Sequence, residues 1–175
     1  MNSVLLVIDA QNDFIDGSLG SKEAVLALPN IIKKVKGFDG QVIFTRDTHG
    51  ENYLETSEGK HLPVVHCIKD TAGWQLAKEL DEFRIKTNSV VFDKPTFGFI
   101  ECAKYLKGLY EEGKLDEVTL VGYCTDICVI SNALLLKAVL PELPLKIDPS
   151  CCAGVTPEKH NAALITMASC QVEVL

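Results

Sequence analysis

Residues 117–140 read EVTLVGYCTDICVISNALLLKAVL. The first seven form a Val- and Leu-rich run of strand length. From Asp126 onward the stretch is apolar nearly all round, which predicts a helix buried on more than one side. The same strand signal recurs in SVLLVID (3–9), QVIFTRD (41–47) and SVVFDK (89–94), each closed by a polar or Gly/Pro-containing turn. Two weaker runs, PLKID (144–148) and QVEVL (171–175), follow. Helical patterns lie between them. FIECAKYLKGLYEEGK (99–114) repeats its apolar positions every three or four residues. PEKHNAALITMAS (157–169) has Thr156 as its cap and Pro157 at its first position. EAVLALPNIIKKVKGF (23–38) contains Pro29, which is expected to start or kink a helix and not to sit in its middle. Strands alternating with helices predict an α/β fold, a mostly parallel six-stranded sheet with helices on both faces.

With 175 residues the chain is long enough for a sizeable core, and one domain over 1–175 is expected. An apolar content of 47% argues against disorder. The balance of 17 basic and 24 acidic residues, net charge −7 with the basic residues dispersed, argues against a nucleic-acid partner. No apolar run is long enough to cross a bilayer, so no membrane partner is expected. Seven cysteines, an odd number with no secretion signal, point to reduced thiols and a cytoplasmic location. No C-x-x-C pair is present, so most of these thiols are expected to fill the core.

In a parallel sheet the reactive site lies beyond the carboxyl ends of the strands. Asp9, Asp47 and Lys94 close the first three runs, and Cys124 to Cys128 follow the fourth. Four chemically capable positions from four segments thus fall on one edge. Thr125 or Asp126 stands where a helix cap belongs, which would put Cys128 in the first turn, at the positive end of the helix dipole. On that argument Cys128 titrates below the about 8.5 of a free thiol. The amides of Cys124 and Cys128 could be aimed at one point as an oxyanion hole. Lys94 facing Cys128 would favour thiolate, and Asp9 beside it could carry a proton to a leaving amine. Each also has a plain reading: a small residue at a helix–sheet contact, a solvated strand end, a turn carboxylate.

LLVIDAQNDF, FDKPTFGF and VGYCTDICV, in this order, resemble the three signatures of the isochorismatase-like cysteine hydrolases, which include the nicotinamidases and their amidase relatives. SCCAGVTPEKHNAALITM is similar to that family's C-terminal segment. The resemblance implies a Rossmann-like three-layer sandwich and a catalytic triad of Asp9, Lys94 and Cys128. It also implies a cis peptide between Tyr123 and Cys124, with the amides of Cys124 and Cys128 as the oxyanion hole.

Residues 47–72 have no clear period, and loops this long in compact domains are usually functional; most of that segment lies in RDTHGENYLETSEGKHLPVVHC (46–67). Asp47 and His49, alternate residues leaving a strand, can point to one side, and imidazole with carboxylate suits Zn, Mn or Fe. The bland alternative is an acidic surface loop. The resemblance implies a divalent metal, most simply Zn, held by Asp47, His49, His66 and one further loop side chain: Glu58 first, then Glu55, then His61. Phe14, Leu19, Phe97 and Tyr123 are the candidate substrate-pocket residues. The chain departs from the family pattern in lacking a tryptophan just before His66, where Leu62 and Pro63 stand, and in having Asp70 where many relatives have glycine.

The expected function is a metal-assisted, nicotinamidase-like amidohydrolase acting on a small-molecule amide through a thioester, in a homo-oligomer. The alternatives are a metal-free relative acting on another small amide, a carbamoyl compound or isochorismate, and a non-catalytic binding module.

Overall fold

The structure, a computed structural model, describes residues 2–175. In chain order the elements are β1 (Ser3–Ile8), α1 (Asn12–Ile15), α2 (Lys22–Gly37), β2 (Gln41–Asp47), a 3-10 turn (Tyr53–Glu55), α3 (Ser57–His61), α4 (Lys78–Thr87), β3 (Val91–Lys94), α5 (Ile100–Glu111), β4 (Glu117–Tyr123), a π-helical turn (Thr125–Val129), α6 (Ile130–Val139), β5 (Leu145–Ala153), α7 (Pro157–Ser169) and β6 (Val172–Val174). The six strands form one parallel sheet in the order β3-β2-β1-β4-β5-β6. Strand order reverses between β1 and β4, so a crevice opens beyond their carboxyl ends.

Both faces of the sheet are covered, because successive strand side chains point to opposite sides. Along β1, Val4, Leu6 and Ile8 enter a core shared with α5, α6 and α7 through Leu106, Leu136 and Met167. Leu5 and Val7 enter the other, shared with α2 and α4 through Ile31, Val35 and Leu80. That double burial is why β1 reads as an unbroken apolar run. Where β4 crosses β1, Gly122 adopts φ +120° and a Cβ there would collide with the Ile8 carbonyl oxygen. Only glycine fits.

Several expectations need correction. Pro29 sits inside a continuous α2. The helix survives because Ala24, Ala27, Ile31 and Val35 bury one stripe against the sheet, while Val25, whose carbonyl loses its donor to Pro29, is on the exposed side. β5 runs to Ala153 and not only to 148: its register against β4 shifts between Leu120 and Gly122, and that irregularity accommodates Pro149. The 47–72 segment holds the 3-10 turn and α3, and α4 carries a single fully buried residue, Leu80, too little to show a period. Among the described residues no helix is long and apolar enough to cross a membrane.

Candidate active site

The register of the sheet assembles the site. Asp47 and Lys94 are direct neighbours across β2 and β3, and Asp9 follows β1 one strand further in. Asp9 takes a left-handed conformation, φ 49°, one that Asp tolerates better than most residues. Thr45 fixes its carboxylate, donating through Oγ1 to Oδ1 at 2.7 Å. The Lys94 ammonium lies 2.7 Å from Asp9 Oδ2, 3.3 Å from Cys128 Sγ and 3.4 Å from Asp47 Oδ1, and also donates to the Thr96 carbonyl. Lys94 and Asp9 are both 0% exposed and Cys128 is 4% exposed. Asp9 Oδ2 pairs with the ammonium, and the Asp9 carboxylate also lies within reach of the Cys128 thiol.

Burial sets the electrostatics. It raises Asp9 above the usual carboxylate value, with Lys94 offsetting only part of the effect. Burial alone would lower Lys94, but Asp9, Cys128 and Asp47 around it reverse the sign and hold it charged. The Cys128 thiol is pushed well above its ordinary value, first by burial and then by Asp9, against the pull of Lys94. The lowered thiol value expected from the helix end is thus opposed by burial and by Asp9. Neither Thr125 nor Asp126 caps the turn. Cys124 occupies that position, while Thr125 hydrogen-bonds His160 at 2.8 Å and Asp126 accepts from the Val155 amide at 2.9 Å. The wide turn sends the Ile127 and Val129 N–H groups to the Cys124 carbonyl and passes over that of Cys128. The Tyr123–Cys124 peptide is cis. Burial pushes the Cys124 thiol itself up to about 12.

Asp47 also serves a second cluster. Asp47, His49, Glu58 and His66 place one donor atom each within 4.8 Å of one another. Asp47 Oδ2 lies 3.0 Å from His49 Nε2 and 3.5 Å from His66 Nε2, and Glu58 Oε1 lies 3.7 Å from both. The loop returns to β2 through a parallel bridge between His49 and Ile68, which brings His66 back. The His66 Nδ1 is 2.8 Å from the Val64 carbonyl, so with Nδ1–H donating there, Nε2 points a lone pair at the cluster. Tyr53 packs at 4.7 Å and 4.9 Å from the two imidazoles. Burial would raise Asp47, but the two imidazoles beside it and the Lys94 charge hold it well below the carboxylate range. Two imidazole nitrogens and two carboxylate oxygens converging on one point fit a divalent ion such as zinc. Of the other candidates, Glu55 is exposed and outside the cluster, and His61 is tied to the Ser57 carbonyl.

Both clusters open on one cleft of about 960 Å³. Phe14, Leu19, Phe97 and Tyr123 all line it. Phe14 packs edge-on to His66, Phe97 stands at the mouth, and Tyr123 is mostly core, donating to the Ala24 carbonyl. Sequence reasoning missed the supports. Gln11 bridges the backbone of Asp47 and Trp74, and Asp13 accepts from the Cys67 amide next to His66. Asn132 donates to the Cys128 and Phe97 carbonyls and accepts from the Phe99 amide, tying the Lys94 loop to the cysteine turn. A signal existed for Thr45 alone: it shares a strand face with Asp47.

The profile of the isochorismatase domain matches residues 3–175, and the chain belongs to that family of hydrolases. Within it, the chain is 27% identical to the nicotinamidase/pyrazinamidase of Mycobacterium tuberculosis over 98% of this chain and 97% of that protein. The crystal structure of a pyrazinamidase/nicotinamidase from Streptococcus mutans superposes with a TM-score of 0.85 at 26% identity, covering 99% of this chain and all of that one. A Pyrococcus horikoshii pyrazinamidase in complex with zinc shares the fold, with a TM-score of 0.79 at 23% identity over 100% and 99% of the two chains.

Proposed function

We propose that the protein is a metal-assisted cysteine amidohydrolase that converts nicotinamide or a related small carboxamide to the acid and ammonia. The observation that carries this reading is the thiol of Cys128 in contact with the Lys94 ammonium, which is itself paired with Asp9, at the edge of a cleft shared with four converging metal donors. The names of relatives matching over nearly their whole length support the same chemistry.

In this reading Cys128 rests as a thiol. As its sulfur bonds to the carboxamide carbon, its proton passes to Asp9, whose raised affinity for protons suits a base that must later act as an acid. The carbonyl electron pair moves onto oxygen, where the amides of Cys124 and Cys128 donate to it. Collapse breaks the C–N bond, and the proton from Asp9 leaves with the nitrogen as ammonia. Water then adds to the thioester, giving a proton to Asp9, and the acid departs as Cys128 recovers its hydrogen. Lys94 stays charged throughout and keeps Asp9 aligned. A divalent ion held by Asp47, His49, Glu58 and His66 would supply a Lewis acid able to orient a heteroaromatic nitrogen.

The test is ammonia release from nicotinamide by wild type and Cys128→Ala. Loss on the order of 10⁴-fold in the variant is expected; an unchanged rate would remove Cys128 from the mechanism.

A further inference from the structure

The cleft is far larger than a single pyridine ring with one carboxamide. Its volume of about 960 Å³ lies at the upper end of the roughly 300–1,000 Å³ of sites that enclose drug-sized ligands. Its ionisable lining is Asp47, His49, Glu58, His61 and His66 together with Cys124, Cys128 and Tyr123, and four of these, Asp47, His49, Glu58 and His66, converge as the metal donors. The same cleft is lined by Leu19, Phe97, Ile127 and Val155 with small hydroxyl and glycine residues, and among the described residues no Lys or Arg lines it. Phe97 and Val155 are 44% and 47% exposed, so their apolar faces are open at the mouth. A carboxylate on a ligand, held away from the metal donors, would find no Lys or Arg in the described lining to replace its hydration. An apolar extension would find surface to cover.

We propose that this cleft selects neutral carboxamides larger than nicotinamide: aromatic amides with an alkyl or aryl extension that lies along Leu19, Phe97 and Val155 while the amide group sits at Cys128. The chemistry rests on the amidase reading, R–CONH₂ plus water giving R–COOH and ammonia, but the binding does not.

Calorimetry on the metal-loaded Cys128→Ala protein, with Cys128→Ser as a second carrier, separates the two. The ligands are nicotinamide, a series of ring-alkylated nicotinamides up to hexyl, and 4-carboxybenzamide. Kd should fall about fourfold for each methylene that becomes buried, and the carboxylate-bearing amide should bind more weakly than nicotinamide. Val155→Glu should flatten the chain-length dependence. A Kd that is constant or rises along the series, or tighter binding of the anionic amide, overturns the inference. Ammonia release by wild type forms the other arm. Expected binding with no ammonia from any amide would uphold the inference and sink the amidase reading. Ammonia from nicotinamide with no gain on extension would do the reverse.

Discussion

The thiol corner and the four-donor corner of the cleft share Asp47 but are built on different electrical plans. Around Cys128, one ammonium pairs with Asp9 and touches a neutral thiol, with Asp47 further off, and Asp9 and Lys94 are fully buried behind the sulfur, so the charges close among themselves. Around His49 and His66, two carboxylates face two imidazoles, and the cation within reach, Lys94, already pairs with Asp9. Glu58, about one-fifth exposed, shows how that second cluster copes: burial and the charge of Asp47 raise its pKa. One corner is complete as a polypeptide. The other has a shape and a charge that an added cation would complete.

Lys94→Met breaks the self-contained corner and should have the largest effect on folding. It leaves Asp9 buried without its counter-ion, held by Thr45 alone, a situation that costs about 3–5 kcal/mol, readable as a lowered denaturant midpoint. Little change would mean the ion pair is not what closes that corner. Asp47→Ala strikes the incomplete corner, and metal binding should weaken by at least about 100-fold, with metal per chain by elemental analysis as the readout. Undiminished loading would move the site elsewhere. Asn132→Ala leaves every charged group in place and loosens only the tie between the Lys94 loop and the cysteine turn. A fall of about tenfold in kcat with KM unchanged is expected; an equal effect on KM would mark a general loss of structure.

The smallest effect is a pH shift. Asp9 must be unprotonated to accept from Cys128, and burial raises its pKa above 3.8. Activity should therefore be lost as pH falls through that raised value, so the acid limb of kcat/KM inflects above 3.8. The same shift acts on stability with the opposite sign: its contribution is present below 3.8 and lost as pH rises through the folded-state value. An inflection at or below 3.8 would assign the proton to another group.

Much of this architecture was readable beforehand, for definite reasons. β2 and β4 end where their apolar, β-branched-rich runs end, because strands buried on both faces need near-continuous apolar sequence. The edge carrying Asp9, Asp47, Lys94 and Cys128 followed from the parallel sheet. What stayed hidden depended on tertiary contacts. Pro149 concealed half of β5, which continues only because β4 permits a register shift. The position of Cys128 in its turn suggested an acidic thiol, but burial is not visible in a turn. Gln11, Asp13 and Asn132 are polar residues of ordinary appearance, most of whose partners lie 33 to 63 residues away.

The most direct test is to quench turnover of nicotinamide with acid and map the adduct by peptide mass spectrometry. The account requires the acyl group, with nitrogen already lost, on the sulfur of Cys128. Turnover with an unmodified Cys128, or an acyl group found on Cys124, would contradict it.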